Sequence, residues 1–214
     1  MEIKAVIFDL DGTLIDTEKI YRQVWPAAMA SLGYTYTDKQ YLEMRSLGRP
    51  YSPAKFKEWF GEDFDYDGAR KVRGKLFNEY VAEHGIEVKK GAISLLTYLH
   101  SKGIVTAIAT ATDYDRAMTY LKKVGLDTYF DKVISATSVD EGKPSPKVYQ
   151  YACSQLGFSP SECVACEDAP NGIISAYRAG LKVIMIPDQS PCTEDLKPML
   201  YKLVNSLDEI IDII

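Results

Sequence analysis

No stretch of this 214-residue chain stays apolar for the ~18 residues that a membrane-spanning helix needs. No signal peptide precedes the first apolar segment, so a cytoplasmic protein is the expectation. Positive charge is short: 25 Lys and Arg stand against 30 Asp and Glu, a net charge of -5. No basic stripe is left to attract nucleic acid or an anionic membrane. A phosphate ligand would have to be met by positive charge gathered locally, through a metal or single lysines. The four cysteines, Cys153, Cys163, Cys166 and Cys192, are too few and too clustered for a disulfide framework. Cys163-Val164-Ala165-Cys166 has the spacing of a zinc knuckle, but it has no second pair and reads as a strand, so buried thiols are expected. Glu141-Gly142-Lys143-Pro144 lacks the earlier glycine of a P-loop. Internal repeats and low-complexity tracts are absent.

What remains is an ordinary globular composition, 46% hydrophobic and 26% charged. The length suits a core domain carrying an insertion. The first chemical signal comes at once. Ala5 to Phe8 is an apolar run of the kind buried on both faces in the middle of a parallel sheet. It ends in Asp9-Leu10-Asp11-Gly12-Thr13, two carboxylates one residue apart followed by a turn glycine. In open α/β sheets ligands bind outside the carboxyl ends of the strands, so this strand aims two acids at the expected site. Carboxylates this close resist ionising together unless a cation or a shared proton relieves them. An Asx turn closing a strand would explain the same residues without any chemistry.

The pattern then changes twice. Asp16-Thr17-Glu18 reads as a capped helix start, and Ile20, Val24, Ala28 and Leu32 make one apolar helical face, with Pro26 predicted to kink or break it. Helices are predicted over 38–47, 53–60 and 69–83, and no strand alternation occurs between 17 and 85. That block holds 13 of the chain's 24 aromatic residues, enough for a small core of its own. Residues 17–85 are therefore predicted to form an all-α cap, with residues 87–90 as the return hinge. From 91 onward helices alternate with the β-rich runs 104–109, 132–134, 163–166 and 182–186, ending in a helix near 206–213. The fold class predicted is α/β: a doubly wound parallel sheet built from residues 1–16 and 86–214, with the helical cap inserted.

Three further strand ends carry candidates. Thr110-Ala111-Thr112 leads into a helix, where a hydroxyl and backbone N–H groups can cradle phosphate; Thr112 as a simple helix cap explains half of it. In Gly142-Lys143-Pro144-Ser145-Pro146, Pro144 keeps Lys143 out of the helical region, and Ser145 with Pro146 reads as an N-cap and first helical residue. A solvated surface lysine is the plain alternative. Cys166-Glu167-Asp168 is a second apolar strand that ends in two acids, hard oxygen donors of the kind magnesium prefers.

These four segments, in this order, resemble the four motifs of the haloacid dehalogenase-like (HAD) superfamily, in its β-phosphoglucomutase and phosphatase-like branch with a helical cap. The resemblance covers essentially the whole chain. It implies a Mg2+-dependent phosphomonoester hydrolase acting on a small phosphorylated metabolite, a sugar phosphate for preference. By resemblance Asp9 is the nucleophile that forms an aspartyl phosphate, and Asp11 the general acid and base. Thr110, Ala111 and Lys143 would bind phosphate. Asp9, Asp11 (through its carbonyl) and Asp168 would hold the metal, with Glu167 beside them. Tyr21, Arg22, Arg45 and Arg49 are candidates to line the closed site. A monomer is expected.

The same machinery serves a hexose-phosphate mutase, the alternative reading. Tyr21 stands where the mutase cap carries histidine, Leu76 aligns with its cap lysine four residues before a Tyr-Val pair, and motif one ends Asp-Gly-Thr rather than Asp-Gly-Val. These departures favour hydrolysis. A phospho-accepting regulatory domain, which also gathers acids, Thr and Lys at strand ends, is disfavoured by the aspartate pair and the 69-residue insertion. A dehalogenase would not need Asp11.

Overall fold

The computed structural model describes residues 2–214. Six parallel strands form one sheet in the order β3-β2-β1-β4-β5-β6: β1 Ala5–Phe8, β2 Val105–Thr110, β3 Lys132–Ser135, β4 Cys163–Glu167, β5 Lys182–Met185 and β6 Lys202–Leu203. The apolar run at the start of the chain thus becomes a central strand, paired on both sides and fully buried. Its side chains alternate between two cores. Val6 and Phe8 pack on one face with helices α5 (Ala92–Ser101) and α6 (Tyr114–Val124). Ala5 and Ile7 pack on the other with α7 (Lys147–Leu156) and α8 (Pro170–Arg178). A sheet covered on both faces has no polar side, which is why its strands read as continuous apolar runs. Cys163 and Cys166 fall on opposite faces of β4 and both are buried, so they cannot share a metal.

Four helices separate β1 from α5: α1 Glu18–Ser31, α2 Asp38–Met44, α3 Tyr51–Phe60 and α4 Tyr66–His84. The chain leaves and re-enters the sheet side by side, with Asp16 N–H donating to the Glu87 carbonyl and Lys89 N–H to that of Leu14, 2.9 Å each. Trp25, Tyr36, Phe56, Phe60, Phe64 and Tyr66 form an aromatic cluster inside the four helices. Tyr21, stacked on Phe77 at 4.5 Å, and Tyr120 join that cluster to the core under the sheet.

Several local expectations are corrected. Helix α1 continues through Pro26, which costs it only the hydrogen bond its missing N–H would make. Helix α4 starts at Tyr66, three residues early, because the Asp65 side chain caps it by accepting from Gly68 N–H at 2.8 Å. Helix α7 begins one residue late, with Pro146 rather than Ser145 at the cap. The two-residue β6 is too short and too exposed for its pattern to show, and the final helix is a 3₁₀ turn, Leu207–Asp212. Among the described residues no helix is long and apolar enough to cross a membrane.

Candidate active site

The strand order reverses direction on either side of β1, so the carboxyl ends of β1, β2 and β4 border one crevice. Asp9 follows β1 directly, its N–H donating to the Cys166 carbonyl at 2.9 Å. That bond sets Asp9 beside Glu167 and Asp168 at the end of β4. Lys143 comes in from the loop after β3 and is almost fully buried, with its Nζ 2.7 Å from Asp9 Oδ1 and 2.6 Å from Glu167 Oε1. The surface-lysine alternative is thereby excluded. Tyr149 on α7 also donates to Glu167 Oε1, at 2.5 Å, and its ring lies under the ammonium. Two carboxylates and an aromatic face offset the cost of burying the charge and keep the lysine protonated, its pKa raised.

The two threonines read as helix caps are both diverted. Thr17 makes no capping bond and donates instead to Asp11 Oδ1 at 2.6 Å; Thr112 donates to Asp11 Oδ2 at 2.7 Å, leaving Asp113 at the cap of α6. Asp11 is therefore held from both sides, once by the start of α1 and once by the end of β2. Its pKa is raised by burial and by the charge of Asp9, against the pull of the two hydroxyls. Thr110 is buried at the end of β2 and accepts the N–H of Thr112 at 3.0 Å, so its own O–H points elsewhere as a donor. Ala111 follows it on the wall of the same cavity.

One carboxylate oxygen from each of Asp9, Glu167 and Asp168 lies within 4.8 Å of the others. Glu167 Oε2 is buried with no hydrogen-bond partner. Burial drives the pKa of both Glu167 and Asp168 upward, the cost of crowding acids without enough cations. A set of hard oxygens short of positive charge fits a divalent cation. Two glycines make room for it. A Cβ on Gly12 would stand 2.1 Å from Asp168 Oδ2, and one on Gly172 the same distance from Glu167 Oε2. Gly12 also has a φ of +86°. Gly12→Ala is expected to lose about 1–3 kcal/mol of stability from the backbone alone, read by urea denaturation, and to bind divalent cations more weakly in calorimetry because Asp168 must turn away.

The four helices close over this crevice. Arg45, after α2, is buried and pairs through Nη2 with Asp168, through Nη1 with Ser190 Oγ at 2.9 Å, and lies 3.5 Å from both Glu18 and Asp188. Glu18 accepts from the Tyr41 hydroxyl, and burial lifts its pKa to about 8. Arg49 and Tyr21 line the cavity as expected, with the Tyr21 hydroxyl 3.0 Å from that of Tyr120. Arg22 does not: it pairs with Asp38 and Gln189 on the half-exposed outer side of α1. Leu76 packs into the helices away from the cavity. Sequence reasoning missed Glu18, Tyr41, Arg70, Arg73, Arg116 and Tyr149. For Arg70 and Arg73 a signal existed, since residues three apart share a helix face; for Tyr149 there was none.

Known proteins similar to this chain identify its family and fold. The model of the haloacid dehalogenase-like hydrolases matches residues 3–180. The chain belongs to that family. Among its relatives, the protein CbbY of Rhodobacter capsulatus is 32% identical over 95% of this chain and 93% of its own length. The phosphorylated carbohydrates phosphatase of Thermotoga maritima is 30% identical over 85% and 84%. The crystal structure of CbbY from Rhodobacter sphaeroides in complex with phosphate superposes with a TM-score of 0.83 at 27% identity, covering 97% of this chain and 96% of that one. This family member is a phosphoric monoester hydrolase in its fold and its relatives.

Proposed function

We propose that the protein is a Mg2+-dependent phosphatase of a small phosphorylated sugar, working through an aspartyl phosphate on Asp9 under a cap formed by residues 17–85. The observation that carries this reading is the clamp of Lys143 on Asp9 Oδ1 and Glu167, which orients Asp9 at the mouth of β1. Asp9 attacks phosphorus and the ester P–O bond breaks as the acyl phosphate forms, splitting one hard displacement into two. Asp11 gives its proton to the leaving alkoxide and later takes one from the water that attacks the aspartyl phosphate. Phosphate then leaves and Asp9 is restored. Thr110 O–H, the Ala111 N–H and Lys143 hold the transferring oxygens, where positioning and electrostatics supply most of the rate. The ion would be held by Asp9, Asp168 and the Asp11 carbonyl, with Glu167 behind them. When bound it neutralises charge on the phosphoryl group.

Size supports a small substrate. The cavity over Asp9 and Asp11 is half open and measures about 120 Å³, a scale that suits a small ligand rather than a macromolecule. The relative from Thermotoga maritima, named for phosphorylated carbohydrates, points the same way. The mutase reading keeps one discriminating test. β-Glucose 1-phosphate with a trace of the 1,6-bisphosphate, followed by phosphorus NMR in Mg2+, is expected to release inorganic phosphate from the start without accumulating glucose 6-phosphate. Rapid formation of glucose 6-phosphate with little free phosphate would make the protein a mutase.

A further inference from the structure

Lys143 is shared between two acids. Its side chain is 1% exposed, and its Nζ lies 2.7 Å from Asp9 Oδ1 and 2.6 Å from Glu167 Oε1. An ammonium group has three N–H donors. Two are taken by these oxygens, which leaves the third for a group arriving at Asp9. A lysine is a point charge on a flexible stem, so where Nζ rests depends on how evenly the two carboxylates pull.

Tyr149 acts on that balance. It is the third residue of α7, fully buried, and the turn through Pro144 and Pro146 brings it back against the lysine. Its hydroxyl donates at 2.5 Å to Glu167 Oε1, the same oxygen that holds Lys143, while Oε2 has no hydrogen-bond partner among the described residues. Packing alone would ask only for an aromatic ring here, and phenylalanine would supply it with no buried polar atom to satisfy. The hydroxyl instead goes to an acid that already has a cation. A charge-assisted bond to Oε1 draws on the same negative charge that Lys143 uses. It therefore loosens the hold of Glu167 on the ammonium and leaves Asp9 the stronger partner. The ring centre lies 5.2 Å from Nζ, so the same side chain also supports the ammonium through its π face.

We propose that Tyr149 is a positioning residue for Lys143: its hydroxyl keeps the ammonium turned to Asp9, where it meets the phosphoryl group, instead of settling on Glu167. Tyr149 touches neither substrate nor phosphorus and works only through the lysine. The last link rests on the phosphatase reading, which puts a phosphoryl group at Asp9; the placing of Nζ by Tyr149 does not.

Tyr149→Phe removes the hydroxyl and keeps the ring. The full-length chain is titrated with inorganic phosphate in Mg2+ and followed by phosphorus NMR. The variant is expected to bind phosphate on the order of 10-fold more weakly. In a Lys143→Met background the same substitution is expected to change the affinity by less than about twofold, because its effect passes through the ammonium. Equal losses in the two backgrounds would make Tyr149 a packing residue, and no loss in either would remove it from the site; both outcomes overturn the proposal. Lys143→Met leaves two buried acids without their cation, so circular dichroism accompanies it. If that background does not fold, or phosphate binds the wild-type chain too weakly to titrate, a crystal structure of Tyr149→Phe carries the test. Nζ is expected to have left Asp9 and stayed on Glu167, and Nζ still within hydrogen-bond distance of Asp9 would overturn the assignment. Phosphate release by the wild-type chain from a panel of sugar phosphates is scored separately. Its failure would sink the phosphatase reading, while the place of Nζ in Tyr149→Phe would still decide what Tyr149 does.

Discussion

Asp9→Asn is expected to reduce phosphate release by at least ~10⁴-fold, on the scale seen when an attacking nucleophile is removed, while leaving the fold intact. The amide has the shape of the carboxylate and can still accept from Lys143 at Oδ1. What it lacks is the negative charge and lone-pair basicity that make a nucleophile, and it is a poorer partner for a hard cation. The loss should therefore fall on kcat for every substrate, good and poor leaving groups alike, because the bond to phosphorus cannot form. Rapid-quench experiments with 32P-labelled substrate should show label on the wild-type protein in the first turnover and none on Asp9→Asn. Wild-type-like hydrolysis by the variant would remove Asp9 from the chemistry. A variant that melts many degrees lower would instead assign Asp9 to holding Lys143 in place.

The sheet and its four chemical strand ends were legible because each signal is local. An apolar run followed by Asp-x-Asp, or a lysine fixed by prolines, needs no knowledge of the rest of the chain. The parallel sheet then brings Asp9, Asp11, Thr110, Lys143, Glu167 and Asp168 together, because its connections leave all strand ends on one edge. The groups facing that edge from the inserted helices were not legible in the same way. Thr17 and Thr112 look like helix caps, and a cap and a ligand for Asp11 ask for the same hydroxyl; only the packing of α1 against the end of β2 decides between them. Tyr21 and Leu76 themselves bring no positive charge to the cap wall, and among the wall candidates in the sequence only Arg22, Arg45 and Arg49 offer any. In the folded chain Arg73, three residues before Leu76 on α4, lays its guanidinium over the Tyr21 ring. Charge at that wall is set by which residue of a helix faces inward, and no aligned position reports it.

Asp11 should be separable from Asp9 by leaving group. Asp11→Asn keeps the main-chain carbonyl and both contacts can be made again, since the Thr17 and Thr112 hydroxyls accept as well as donate. Only proton transfer is lost, a contribution typically worth ~10²–10⁴-fold. That figure should be reached on a sugar phosphate, whose alkoxide leaves poorly without a proton, and should shrink for an aryl phosphate, whose phenolate needs little help. The pH profile adds a second readout with a definite sign. Burial and the Asp9 charge raise the Asp11 pKa, so the proton is retained further toward neutral pH and is lost as pH rises. If protonated Asp11 is required for the first step, wild-type kcat/KM on a sugar phosphate declines on the alkaline side of that pKa, and Asp11→Asn flattens the decline along with the rate. An equal loss on alkyl and aryl substrates, with the alkaline limb unchanged, would place Asp11 in the architecture of the β1 turn and require another group to carry the proton.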